Sequence, residues 1–196
     1  MLREFSGMME IEMRLATLVA SIVVAATTGA HAQTERRELG PHVHGAGTLS
    51  IAIEGKKVSL DFSAPANDIL GFEHQPSTSE QKQVLEKASA ALGKPLELFG
   101  FPVAAGCAVE TANVVFNAGE PKDAKATAKT AGEDHEHADF DIDYVLTCTA
   151  PDKLVALTFP YFQQFGGAQK LTVTVVSDTG QSQFDVTRDA PSHALK

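Results

Sequence analysis

Apolar residues recur at every second position over several stretches of the chain. Leu49, Ile51 and Ile53 alternate with small or polar residues, and after Glu54-Gly55-Lys56 the alternation resumes at Val58, Leu60 and Phe62. Period two sets one face of a strand on a core, and the turn between the two runs makes them a β-hairpin. The alternation is longest at Phe140, Ile142, Tyr144, Leu146 and Cys148, with Asp139, Asp141 and Asp143 on the other face. Leu171, Val173 and Val175 predict a further strand, Asp178-Thr179-Gly180 a turn, and Phe184 and Val186 a last strand. Leu154 to Phe159 reads as a strand with apolar residues on both faces, and Val103 to Phe116 as one or two more.

One segment changes period. Val84, Leu85, Ala88, Ala91 and Leu92 form a helical stripe, Ser77-x-x-Glu80 reads as a capping box ahead of it, and Gly93 and Pro95 stop it. This predicts one main helix over about 77–92. Leu96 to Phe99 and Pro160 to Phe165 predict single helical turns, while Pro65 and Asn67-Asp68 end the second strand and Ile69 to His74 reads as irregular. Ala118 to Ala138 follows neither period. It consists of Ala, Lys, Thr, Glu and Asp with almost no large apolar residue, so it is expected to be a flexible acidic and histidine-bearing insert. The expected fold class is α+β: β-rich, with antiparallel sheets or a sandwich and one main helix.

The N-terminus has its own pattern. Arg14 precedes the apolar run Leu15 to Ala26, and Ala30-His31-Ala32 makes an A-x-A cleavage signal before Gln33. The run is shorter than the roughly 20 residues a membrane span needs. Glu4, Glu10 and Glu12 suit an export signal poorly, and initiation at Met13 gives a cleaner one. Residues 1–32 are expected to be removed on export. That leaves 33–196 as a single domain with an insert at about 118–138 and no membrane insertion. An exported chain with two cysteines, Cys107 and Cys148, invites a disulfide. The rival reading, two thiolate metal ligands, needs a reducing compartment.

A length of 196 residues is enough for one ordinary domain with a sizeable core. The formal net charge of −9 counts against a nucleic-acid partner and leaves cations as plausible ligands. The histidines then stand out. In Pro41-His42-Val43-His44-Gly45, extending the first strand backwards places His42 and His44 on one face, where two imidazoles can share a metal. In Gly71-Phe72-Glu73-His74, His74 is the candidate third ligand and Glu73 a candidate fourth. Asp134, His135, His137 and Asp139 form a second, auxiliary donor cluster, weakened by the entropy of ordering its segment. His193, in a polar tail, is expected to be exposed. The plain alternative is surface histidines and a solvated acidic linker.

Zinc is the expected ion, and Cu2+ or Ni2+ accept the same ligands. A low methionine count argues against a Cu(I) carrier. There is no H-E-x-x-H, no G-x-S-x-G and no phosphate-cradling glycine loop. Because a ligating imidazole must be neutral, affinity is expected to fall as pH drops through about 6.5.

The order His-x-His-Gly, alternating strands, Pro65-Ala66-x-Asp68, then Gly71-Phe72-Glu73-His74-x-Pro76 resembles the ZrgA-type periplasmic zinc-uptake proteins. Gly106-Cys107 after a proline-containing turn, Cys148-x-x-Pro151, the Phe159 to Phe165 segment and Gly180-Gln181 agree as well. The resemblance spans roughly residues 38 to 188. It implies a periplasmic, non-enzymatic protein that binds zinc and supports its acquisition, with a zinc transporter or its binding protein as partner. By position, His42, His44 and His74 match the family's histidine motifs. His135 and His137 match its histidine-rich insert, here reduced to two histidines where relatives carry long runs. Two rivals stand beside this reading. One is a zinc-dependent hydrolase with the same three ligands and a bound water, and the other is a non-metal β-rich interaction module.

Overall fold

The alternating runs do become strands, and their long-range pairing builds the molecule. The structure is a computed structural model that describes residues 43–118 and 138–195. Strands β1 (Ala46–Glu54) and β2 (Lys57–Pro65) form the hairpin, with Leu49 opposite Phe62 and Ile51 opposite Leu60. Gly55 turns it in the left-handed region, at φ 57°. Strand β4 (Asp139–Cys148) pairs antiparallel with β2 on one side and with β3 (Cys107–Asn117) on the other. Strand β6 (Lys170–Ser177) lies on the far side of β1, and β7 (Gly180–Thr187) pairs with it. The large sheet therefore runs β3-β4-β2-β1-β6-β7. Two short strands, β5 (Ala156–Thr158) and β8 (Ser192–Ala194), make a second sheet.

The α+β class holds, but the large sheet is mixed rather than wholly antiparallel, because β1 and β6 run parallel. Alternation is the same in either direction, so it could not reveal this. The inward faces of β1, β2, β4 and β6 are buried beneath short helices: α1 (Ala66–Leu70), α2 (Ser79–Leu92), α3 (Pro95–Leu98) and α4 (Tyr161–Gln164). Phe62 of β2 meets Phe99 and Tyr161 edge-on, with ring centroids 5.4 and 5.2 Å apart. Such pairs add about 1 kcal/mol each beyond the area they bury. The Tyr144 hydroxyl donates to the Leu92 carbonyl over 2.7 Å and fastens the end of α2 to β4. Cys107 and Cys148 face each other in the β3–β4 register and form the expected disulfide.

Several expectations are corrected. The capping box is Thr78–Gln81, not Ser77–Glu80: Gln81 N donates to Thr78 Oγ1 while Gln81 Oε1 accepts from Thr78 N. Val84 is 40% exposed, since the buried line of α2 runs through Ala88 and Leu92. The segment after Pro65 is a helix, α1, rather than irregular from Ile69. Val103–Ala105 is a 3-10 turn before one strand, β3. Strand β5 is limited to three residues, with Leu154 buried and Val155 exposed ahead of it. His193 is half-buried in β8, stacked on Phe184. Among the described residues, no helix is long and apolar enough to cross a membrane.

Candidate metal centre

Strand β1 does not extend back to the histidines. It starts at Ala46, because Gly45 turns into the left-handed region at φ 81° and Ala46 N closes a turn on Val43 O over 3.0 Å. His44 therefore stands on a turn, not on a strand face. The turn is pinned from two directions. The Gly45 carbonyl accepts from Gln169 N and Lys170 N, at 2.9 and 2.8 Å. Its N–H donates to Asp68 Oδ1 at 2.8 Å.

Asp68 belongs to α1, which follows directly from β2. Helix α1 ends at Gly71, also left-handed at φ 81°, whose N–H returns to Asn67 O. That reversal is the C-terminal αL stop that glycine permits, and it throws Phe72-Glu73-His74 back toward the His44 turn. Glu73 Oε1 then meets His44 Nε2 directly. The His44 side chain is 56% exposed and that of Glu73 23%, so the pair faces solvent. An imidazole and a carboxylate converging at one accessible point are the donor types zinc selects.

His74 is turned elsewhere. Its ring stacks on Phe72 with centroids 5.1 Å apart. Nδ1 donates to the Gln75 carbonyl at 2.9 Å, leaving Nε2 to accept from Gln81 Nε2 at 3.4 Å. Gln81 is the same residue that caps α2, so His74 is tied to that helix end. Among the described residues, no group of three His, Cys, Asp or Glu stands placed to hold a metal ion. His42, Asp134, His135 and His137 lie outside the described residues. Asp139 opens β4, opposite Asn117 and Pro65, and so belongs to the sheet rather than to the insert.

Asp68 is the site residue for which the sequence offered no role. It is only 3% exposed, and its Oδ2 has no hydrogen-bond partner. Burial raises its pKa above the ordinary carboxylate value, the Gly45 N–H and the nearby His44 oppose that, and Glu73 adds to it. A charged residue in a five-residue helix carries no periodic signal, and only its place in the Pro65-Ala66-x-Asp68 motif set it apart.

Comparison with known families matches residues 41–195 to the ZrgA family, described as zinc uptake proteins. The chain belongs to the ZrgA family. No curated protein matches it. The ZrgA match begins at Pro41, so it takes in the H-x-H-G turn, α1 with Asp68, and the Glu73 loop together. Membership points this ZrgA chain to a part in zinc uptake.

Proposed function

We propose that this protein is a periplasmic zinc-binding protein that supports zinc acquisition, holding the ion between the His44 turn and the Glu73 loop. The single observation that carries the reading is the contact of His44 Nε2 with Glu73 Oε1, which joins the two sequence motifs at one exposed point. A zinc ion there takes the place of the hydrogen between the two atoms. His42, two residues before His44, supplies the second imidazole. His74 supplies a third once its ring leaves Gln75 and Gln81, and water can complete the tetrahedron. The exposure of His44 suits an ion that must enter and leave, whereas structural zinc sites are closed. The protein acts as a carrier and not as a catalyst.

The acidic insert, with Asp134, His135 and His137, serves as an auxiliary capture element, and Asp139 marks its return to the sheet. In support, the Ala138 carbonyl accepts from Ala66 N at 2.8 Å. The insert thus ends on the first residue of the helix that leads to Glu73.

Isothermal titration of the purified protein with Zn2+ tests the reading, beside His42→Ala, His44→Ala, Glu73→Gln and a deletion of 119–137. The expected result is one tight site, weakened at least tenfold by His44→Ala and by Glu73→Gln and kept by the deletion. Loss of the tight site only in the deletion would move the centre to the insert. Absence of binding in the unaltered protein would end the zinc reading.

A further inference from the structure

We propose that Asp68 is the positioning residue of the His44–Glu73 site, holding the two motif segments in register and placing an unpaired negative charge beneath the bound cation. The inference rests on the zinc reading above. The geometry behind it is a single covalent and hydrogen-bonded path. Asp68 sits in α1, the helix whose left-handed end at Gly71 delivers Glu73. Its Oδ1 accepts from the N–H of Gly45, the residue next to His44. One carboxylate therefore binds the first motif through space and the second through five residues of chain.

Its placement is enforced from the other side too. A Cβ on Gly167 would come within 2.6 Å of Asp68 Cα, so the loop before β6 packs on the backbone of Asp68 itself. That loop continues into Gln169 and Lys170, whose N–H groups both donate to Gly45 O. Asp68, Gly45 and residues 167–170 thus form a closed ring of contacts around the His44 turn.

The choice of a carboxylate is the telling feature. Receiving one N–H from Gly45 needs only a neutral acceptor, and an asparagine in the same place would do it. Asp68 instead buries a second oxygen, sealed from solvent and without a hydrogen-bond partner. An unsatisfied buried carboxylate oxygen costs stability. That cost is offset where a cation gathers nearby, and the Asp68 carboxylate accepts from the residue that follows His44. Carboxylates behind metal ligands orient them and raise affinity, and losing one typically weakens binding 10–100-fold.

The test compares Asp68→Asn and Asp68→Ala with the unaltered protein in three measurements: Zn2+ affinity by chelator competition, the d–d absorption spectrum of bound Co2+, and the thermal midpoint without metal. Asparagine keeps the acceptor for Gly45 N–H and removes the charge. It is expected to leave the Co2+ spectrum and the metal-free midpoint as they are or raise the midpoint, while weakening Zn2+ about tenfold. Alanine frees the turn and is expected to weaken Zn2+ further and shift the Co2+ spectrum. Should the alanine variant fail to fold, the asparagine variant alone decides. Unaltered Zn2+ affinity in Asp68→Asn, or a loss matched by a fall in the metal-free midpoint, overturns the proposal while leaving the zinc reading intact. An unaltered protein that binds no Zn2+ overturns both.

Discussion

Gly167 lies so close to Asp68 that a Cβ atom built on it would fall 2.6 Å from Asp68 Cα and 2.7 Å from the Asp68 carbonyl oxygen. Both neighbours are backbone, which cannot swing away as a side chain can. At Gly166, one residue earlier, the same Cβ would meet nothing within 4 Å. Alanine at each position makes a controlled pair. Gly167→Ala is expected to cost about 1–3 kcal/mol, the range for overpacking a filled site, and Gly166→Ala to stay within about 0.5 kcal/mol. Urea unfolding curves measure both. Equal midpoints would show that this loop retreats freely from α1.

The same loop is gripped from behind by Arg188. Its Nη2 donates to the carbonyls of Phe165, Gly166 and Ala168 at 2.7, 3.0 and 2.6 Å. Nε adds a second bond to Ala168 and Nη1 one to Phe162. Carbonyls at and beyond the end of α4 have no intrahelical donors, so the guanidinium acts as their cap. An ammonium group presents a single point and cannot span the set. Arg188→Ala is expected to destabilise by about 2–3 kcal/mol, through carbonyls left unpaired. Arg188→Lys should recover less than half of that. A lysine variant with the thermal midpoint of the unaltered protein would contradict this.

The central strands were legible because each has one buried face, alternating along β1, β4 and β6. Phe140, Ile142, Tyr144, Leu146 and Cys148 are all buried, as their alternation required. What the pattern could not carry was direction and distance. Leu171, Val173 and Val175 look the same whether β6 runs with β1 or against it, and only the folded chain shows the parallel register. The site was half legible. Glu73 and His44 do meet, but the strand-face argument for His44 failed at Gly45, whose positive φ ends the extended backbone. His74 lies in the same loop as Glu73, yet its orientation depends on Gln81, seven residues away, which no spacing rule anticipates. The role of Asp68 was hidden because a buried carboxylate in so short a helix has no periodic signature, and the Pro65-Ala66-x-Asp68 motif marked its position without its partner.

The Cys107–Cys148 bridge joins neighbouring ends of β3 and β4 across a sequence separation of 41. Closing a loop of that length is worth about 4 kcal/mol in the chain-entropy account. Reduction, or Cys107→Ala with Cys148→Ala, is expected to lower the thermal midpoint by about 10 °C. Zinc affinity should survive it. Cys148 ends β4, while Asp139 at its other end lies beside α1, ~30 Å away at about 3.3 Å per residue. Zinc taken up on reduction by the unaltered protein, and not by Cys107→Ala with Cys148→Ala, would favour thiolate ligation over the histidine site.

Across β6 and β7, Lys170 Nζ lies 2.8 Å from Asp185 Oδ2, and Thr172 Oγ1 donates to Asp185 Oδ1 at 2.8 Å. Lys170, with Thr172, holds the Asp185 carboxyl below its ordinary value of 3.8. The sign of the pH effect follows. With the folded value below the unfolded one, the contribution is fully present above about pH 4. It is lost as pH falls, since the unfolded chain takes up the proton first. Asp185→Asn keeps an acceptor for Thr172 but removes the charge facing Lys170, so it should be less stable at pH 6, with the gap narrowing as pH falls below about 4. The side chain is half exposed, which limits the difference to less than about 1 kcal/mol and makes it shrink in high salt. Urea midpoints of the two proteins at pH 6, 4 and 3, with and without added salt, measure it. A gap that stays constant across the three pH values would rule out Asp185 ionisation as its source.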